Sequence, residues 1–142
     1  MRACAAALVL GWLTVLSCYD IRERRLPNVL TLPGAGVILL AAGCAGRGLP
    51  ALTGAAVLTG IYLLVHLVAP AAMGAGDVKL AIGVGGLAGC FGVGVWFLAA
   101  LAAPLLTALW GVVVILRGVR TVPHGPSMCL ATAGAAGLAL LG

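Results

Sequence analysis

Charge is scarce in this chain. Only 8% of its 142 residues are Asp, Glu, Lys or Arg, and only three of these are acidic, whereas a globular domain carries about 25% charged residues. That scarcity, with 63% hydrophobic residues and a mean hydropathy of +1.25, excludes a water-soluble domain and marks an integral membrane protein. The eight basic residues give a net charge of +5, but they are spread over short loops and form no dense patch, so a nucleic-acid partner is rejected. Paired metal ligands are missing too. Cys4, Cys18, Cys44, Cys90 and Cys129 form no CxxC, and the chain has two histidines. Neither a zinc site, another cofactor site nor a disulfide framework follows, and each cysteine reads as a small packed hydrophobe. There is no GxSxG, no HExxH and no P-loop. The run Gly83-Val84-Gly85-Gly86-Leu87-Ala88 imitates a dinucleotide fingerprint, but no strand precedes it and no acid follows it, which discards a Rossmann site.

What remains is a series of apolar segments in a single domain, residues 1–142. The first, Ala3 to Tyr19, is uncharged and close to membrane-spanning length. Its basic start at Arg2 and the sequence Val15-Leu16-Ser17-Cys18 also suggest a cleaved leader, but Arg22, Arg24 and Arg25 follow at once and resist translocation, so it reads as a retained helix. A charged loop, Cys18 to Asn28, holds Asp20 and Glu23 among three arginines. Glu23 there reads as a local ion-pair partner. Pro27 pushes Leu26 out of the α region before a second helix from about Val29 to Ala45. Gly46 to Pro50 reads as a turn, and a third helix spans about Ala51 to Ala72. Its His66 reads as a polar contact between helices rather than a proton carrier. Leu80 to Leu116 has no charge over a length that exceeds the roughly 20 residues of one crossing, so two helices must fold from it, with a turn near Cys90. A last polar loop, Arg117 to Pro126, leads to a short helix from Ser127 to Gly142. The expected architecture is an all-α bundle of about six transmembrane helices. Alternation then puts Arg22, Arg24, Arg25, Lys79, Arg117 and Arg120 on one face and Arg2 and Arg47 on the other, which makes the first face cytoplasmic and both termini external.

Within this apolar background the stretch Met73-Gly74-Ala75-Gly76-Asp77-Val78-Lys79-Leu80 stands out. A carboxylate at the centre of a membrane helix costs about 2.5 to 3.5 kcal/mol on insertion scales, so a retained one is a candidate for function. Gly74 and Gly76 permit unusual backbone angles or close approach of a neighbour. The plainer alternative makes Asp77 the cap of a helix beginning at Val78, with Lys79 among lipid headgroups. Asp20 is assigned independently to the same membrane face. Two carboxylates brought close cannot both ionise cheaply and share a proton, which suits acid–base hydrolysis of a peptide bond.

Three motifs in order give the chain a family likeness. Asp20, then Arg22, then Pro27-Asn28, is similar to the first catalytic motif of the type IV prepilin peptidases and their preflagellin relatives, the GxGD aspartyl proteases. Gly74-Ala75-Gly76-Asp77-Val78-Lys79-Leu80 resembles their GxGDxKL. Pro123-His124-Gly125-Pro126 is similar to their Pro-x-Gly-Pro loop. The resemblance implies that Asp20 and Asp77 are the catalytic pair, with Gly74, Gly76, Lys79, Pro27, Asn28, Pro123, Gly125 and Pro126 as supporting positions. It implies a bacterial inner-membrane endopeptidase that cuts the leader of a pilin-like precursor at the cytoplasmic face. The family's cysteine-rich zinc-binding insertion is missing from the short loop after the first helix, so N-methyltransferase activity is not expected. The lipid bilayer and the precursor are the expected partners, and a homo-oligomer is compatible with this reading. Two alternatives come from other classes: a non-catalytic channel or assembly scaffold, and a GxGD protease for a different membrane substrate.

Overall fold

A computed structural model of the chain describes residues 2–118 and 122–141. It contains six helices: α1 (Arg2–Glu23), α2 (Asn28–Cys44), α3 (Gly48–Val68), α4 (Ala75–Cys90), α5 (Val93–Leu116) and α6 (Gly125–Leu141), with no strand among the described residues. The all-α expectation therefore holds. Among the described residues, three helices are long and apolar enough to cross a membrane, over Cys4–Glu23, Gly48–Val68 and Val93–Leu116, while α2 and α6 are shorter and apolar. The outer surface is hydrocarbon: Leu8, Leu40, Val68, Leu105 and Leu141 are all exposed. That is the inverse of a water-soluble fold and the expected face toward lipid.

The helix boundaries differ from the sequence expectation in two informative places. α1 does not stop at Tyr19 but continues to Glu23, because no breaker intervenes before Arg24, whose φ of 51° ends the helix in the left-handed conformation. The Arg24 N–H still bonds the Asp20 carbonyl at 3.0 Å, as a C-terminal αL cap does. Asp20 thus sits on a helix rather than in a loop. α3 begins earlier, at Gly48, with Pro50 tolerated in its first turn, and it ends at Val68 because Pro70 disfavours a helical Ala69. The division of the long uncharged run falls where expected: α4 ends at Cys90, and Gly92, at a φ of 107°, turns the chain into α5.

Small residues set the packing. A β-carbon on Gly54 of α3 would lie 2.5 Å from the Gly85 carbonyl oxygen of α4, and one on Gly89 would lie 2.4 Å from the Pro50 oxygen. The two helices touch backbone to backbone, the close approach that small residues make possible in membranes. Trp96 of α5 closes over this seam and donates its indole N–H to the Gly54 oxygen at 3.0 Å. Trp12 of α1 fills the space left by Gly34 of α2 and Gly83 of α4, and its indole N–H bonds the Leu30 oxygen at 2.9 Å. At the end of the bundle holding the α3 N-terminus, the Arg47 guanidinium donates to the Cys90 carbonyl. The opposite end holds the C-termini of α1 and α3 and the N-termini of α2, α4 and α6.

Candidate active site

The apolar stripes of α1 and α4 dictate where their two aspartates point. Leu13, Leu16 and Asp20 of α1 are buried, and so are Asp77, Leu80, Ala81, Val84 and Ala88 of α4. The spacings of three, four and seven residues place each set on one helix face. Each carboxylate is therefore the terminal member of a stripe that faces the core, with Asp20 7% and Asp77 9% exposed. The stripes converge, and the charge of Asp20 acts on Asp77.

Backbone amides hold both carboxylates. Asp20 Oδ2 accepts from the Gly125 N–H at 3.0 Å, and Asp77 Oδ2 accepts from the Gly74 N–H at 3.3 Å. These are donors at the starts of α6 and α4, where the first N–H groups of a helix lack intrahelical partners and the helix dipole favours negative charge. α4 begins at Ala75 rather than Val78, so Asp77 lies in its first turn and reaches back to Gly74 instead of preceding the helix as its cap. Gly74, at φ −73° and ψ 149°, needs no glycine-only conformation. A β-carbon on Gly76 would lie 3.2 Å from Leu26 Cβ, so this glycine lets the start of α4 press against the α1–α2 connection. Space, not unusual dihedrals, is the role of this glycine.

The remaining motif residues frame the pair. Pro27 is extended at φ −69° and precedes α2, where its carbonyl accepts from the Leu30 and Thr31 N–H groups. Lys79 Nζ donates to Asn28 Oδ1 at 2.9 Å, which ties α4 to α2 at the rim. Pro126, in the first turn of α6, has no N–H to satisfy. Gly125 comes so close to Asp20 that a β-carbon there would lie 2.6 Å from Oδ2. Pro123 is half-buried at the approach to this turn. Glu23 is exposed at the end of α1, and Arg120 falls outside the described residues.

Several neighbours are not evident from the sequence. His124 Nε2 meets the Tyr62 hydroxyl at 3.0 Å, and its Nδ1 meets Thr107 Oγ1. Burial pushes the His124 imidazole below its usual pKa, because desolvation disfavours the cation. Tyr62 lies within the field of Asp77. Cys129 of α6 is buried, and the Ser17 hydroxyl of α1 donates to the Leu13 carbonyl at 2.8 Å. The only sequence hint of His124 is its place between Pro123 and Gly125. Tyr62 and Thr107 lie in apolar helices with no signal around them. His66 turns out to bond the Met73 carbonyl at 2.7 Å, tying the end of α3 to the segment that leads into α4. Among the described residues no three His, Cys, Asp or Glu side chains come together as a metal site would require.

Chemically, the arrangement offers two buried carboxylates on separate helices, each with one oxygen held by a backbone donor. A model of the type IV leader peptidase family matches residues 7–116. That span contains Asp20, Pro27, Asn28, Gly74, Gly76, Asp77 and Lys79, and stops before the turn at Gly125. No curated protein and no solved structure matches the chain.

Proposed function

Since the chain belongs to the type IV leader peptidase family, we propose that it is an aspartic endopeptidase in which Asp20 and Asp77 activate water and the scissile carbonyl. One observation carries this reading: two of the three acids in the chain are buried at the same end of the bundle, with Asp77 in the field of Asp20. In this mechanism one carboxylate is ionised and takes a proton from water, while the other is protonated and donates to the peptide oxygen. The Gly125 and Gly74 amides fix one oxygen of each carboxyl, leaving the other for water or substrate.

The substrate proposed is the leader of a pilin-like precursor. A segment leaving its own apolar helix would reach the pair at the rim formed by Lys79 and Asn28. Arg22, Arg24, Arg25 and Lys79 belong to the same end of the bundle as the aspartates, and Arg47 to the other. The positive-inside rule thus supports cleavage at the cytoplasmic face of a bacterial inner membrane. The activity proposed is peptide hydrolysis alone, without methyl transfer.

The test is co-expression with a pilin-like precursor. Asp20→Asn and Asp77→Asn are each expected to lower processing by about a hundredfold or more, as loss of an acid–base group does, at unchanged abundance in the membrane. Intact processing by either variant overturns the reading and favours a channel or scaffold.

A further inference from the structure

The hydrogen bonds around His124 have a direction. Thr107 Oγ1 approaches the Ala103 carbonyl at 3.0 Å, and a carbonyl only accepts, so the hydroxyl proton points there. Thr107 Oγ1 is then left to accept from His124, which puts the ring proton on Nδ1. In a neutral imidazole Nε2 is consequently the acceptor, and it takes the Tyr62 O–H at 3.0 Å. The chain of donors runs from Tyr62 on α3, through His124, to Thr107 and the backbone of α5. Burial disfavours the imidazolium, in keeping with this arrangement.

His124 immediately precedes the amide that holds Asp20, and its carbonyl accepts the Met128 N–H of α6 at 3.1 Å. Its ring partner Tyr62 lies in the field of Asp77 and is 5% exposed. One residue therefore connects α3 and α5 through its side chain to the first turn of α6 through its backbone. Gly125 and Pro126 cannot do this, since neither has a polar side chain.

We propose that His124, as the neutral Nδ1–H tautomer locked between Tyr62 and Thr107, is a positioning residue that aims the Gly125 N–H at Asp20. This rests on the proposed role of Asp20 and adds a residue to it. His124 itself neither touches substrate nor transfers a proton in the reaction. Its loss lets the start of α6 shift against α3 and α5, and the carboxylate follows the amide.

The test combines kinetics with a spectroscopic readout on the full-length protein in proteoliposomes. Thr107→Val is nearly isosteric and removes the acceptor for Nδ1–H, while Tyr62→Phe removes the donor to Nε2. Each is expected to lower kcat about three- to tenfold with KM little changed, and His124→Leu to lower it about 10- to 100-fold, the range expected for slight misplacement of a reacting group. Adding Tyr62→Phe to His124→Leu should cost nothing further, because residues in one network are non-additive. Nitrogen-15 spectra of the two imidazoles give one pair of ring signals for each histidine, and the pair absent in His124→Leu reports this residue. It should show a protonated Nδ1 and a bare Nε2, and the Thr107→Val variant should lose that tautomer preference. A wild-type ring protonated at Nε2, additive losses, or wild-type kcat in a membrane-inserted His124→Leu overturns the proposal. Retained cleavage in Asp20→Asn instead overturns the proposed role of Asp20, whatever tautomer His124 shows.

Discussion

Replacing Gly125 with alanine tests the site most directly, because the structure states what the added methyl meets. Its carbon would lie 2.6 Å from Asp20 Oδ2, 3.1 Å from Cγ and 3.4 Å from Cβ. Relaxed heavy-atom contacts lie at about 3.5 Å, so the carboxylate must retreat by about 0.9 Å. That retreat stretches the 3.0 Å Gly125 hydrogen bond to the limit at which such bonds count. A hydrogen bond to a charged group contributes about 1.5 to 3 kcal/mol, and a shift of about 1 Å in a reacting group costs up to about a hundredfold in rate. The clash falls on the end of a side chain rather than on backbone, so the helices can stay where they are. We therefore expect Gly125→Ala to insert normally and to lose about 10- to 100-fold in kcat, with KM little changed. The assay is the initial rate of precursor conversion at saturating substrate, with the peptidase quantified in the same vesicles. Gly134→Ala and Gly137→Ala on the same helix are the controls, since a β-carbon at either meets nothing within 4 Å, and both should cleave like the wild type. Wild-type kcat in Gly125→Ala would refute the placement of Asp20 against the start of α6.

The seam between α3 and α4 and the orientation of the bundle give two further expectations. At Gly89 the added carbon would meet the Pro50 carbonyl at 2.4 Å and at Gly85 the Gly54 carbonyl at 2.7 Å; backbone cannot yield cheaply, so Gly89→Ala and Gly85→Ala should each cost about 1 to 3 kcal/mol, read as lower unfolding temperature and abundance, while Gly60→Ala, which meets nothing within 4 Å, should not. In a cysteine-free background, single cysteines at positions 24 and 47 should react with impermeant label from opposite sides of the membrane, and labelling from one side would rule out the alternating topology.

Much of the fold was legible because it follows from hydrophobic run length. The break near Cys90 is an example: 37 uncharged residues, Leu80 to Leu116, exceed one crossing, and Gly92 supplies the turn. The ends of α1 and α3 were less legible, because charge is a poor guide to where a helix stops. Asp20, Arg22 and Glu23 are charged but helical, and it is Arg24 in the left-handed conformation that ends the segment. Asp20 and Asp77 stand out in the sequence as candidates because only three acids are present. Their partners do not, because a backbone amide has no signature of its own, and Tyr62 and Thr107 reach His124 across separations of 62 and 17 residues.

The scarcity of polar side chains also explains how this site is built. Burying a carboxylate without a donor is costly, and a chain that is 8% charged has few side chains to supply one. Helix N-termini supply it instead, since their first amides are unsatisfied and their dipoles favour an anion. α4 serves Asp77 through Gly74, and α6 serves Asp20 through Gly125. At Gly125 this approach leaves no room for a relaxed β-carbon, which would lie 2.6 Å from Asp20 Oδ2, whereas at Gly74 a β-carbon would meet Asp77 Oδ2 at an ordinary 3.6 Å. Backbone N–H groups rather than polar side chains thus hold both aspartates. The same reasoning makes the orientation of each helix start the variable that tunes the site. For α4 it is set by Leu26 against Gly76 and by Lys79 on Asn28. For α6 it falls to the imidazole of His124, held from both sides by hydroxyls of the neighbouring helices.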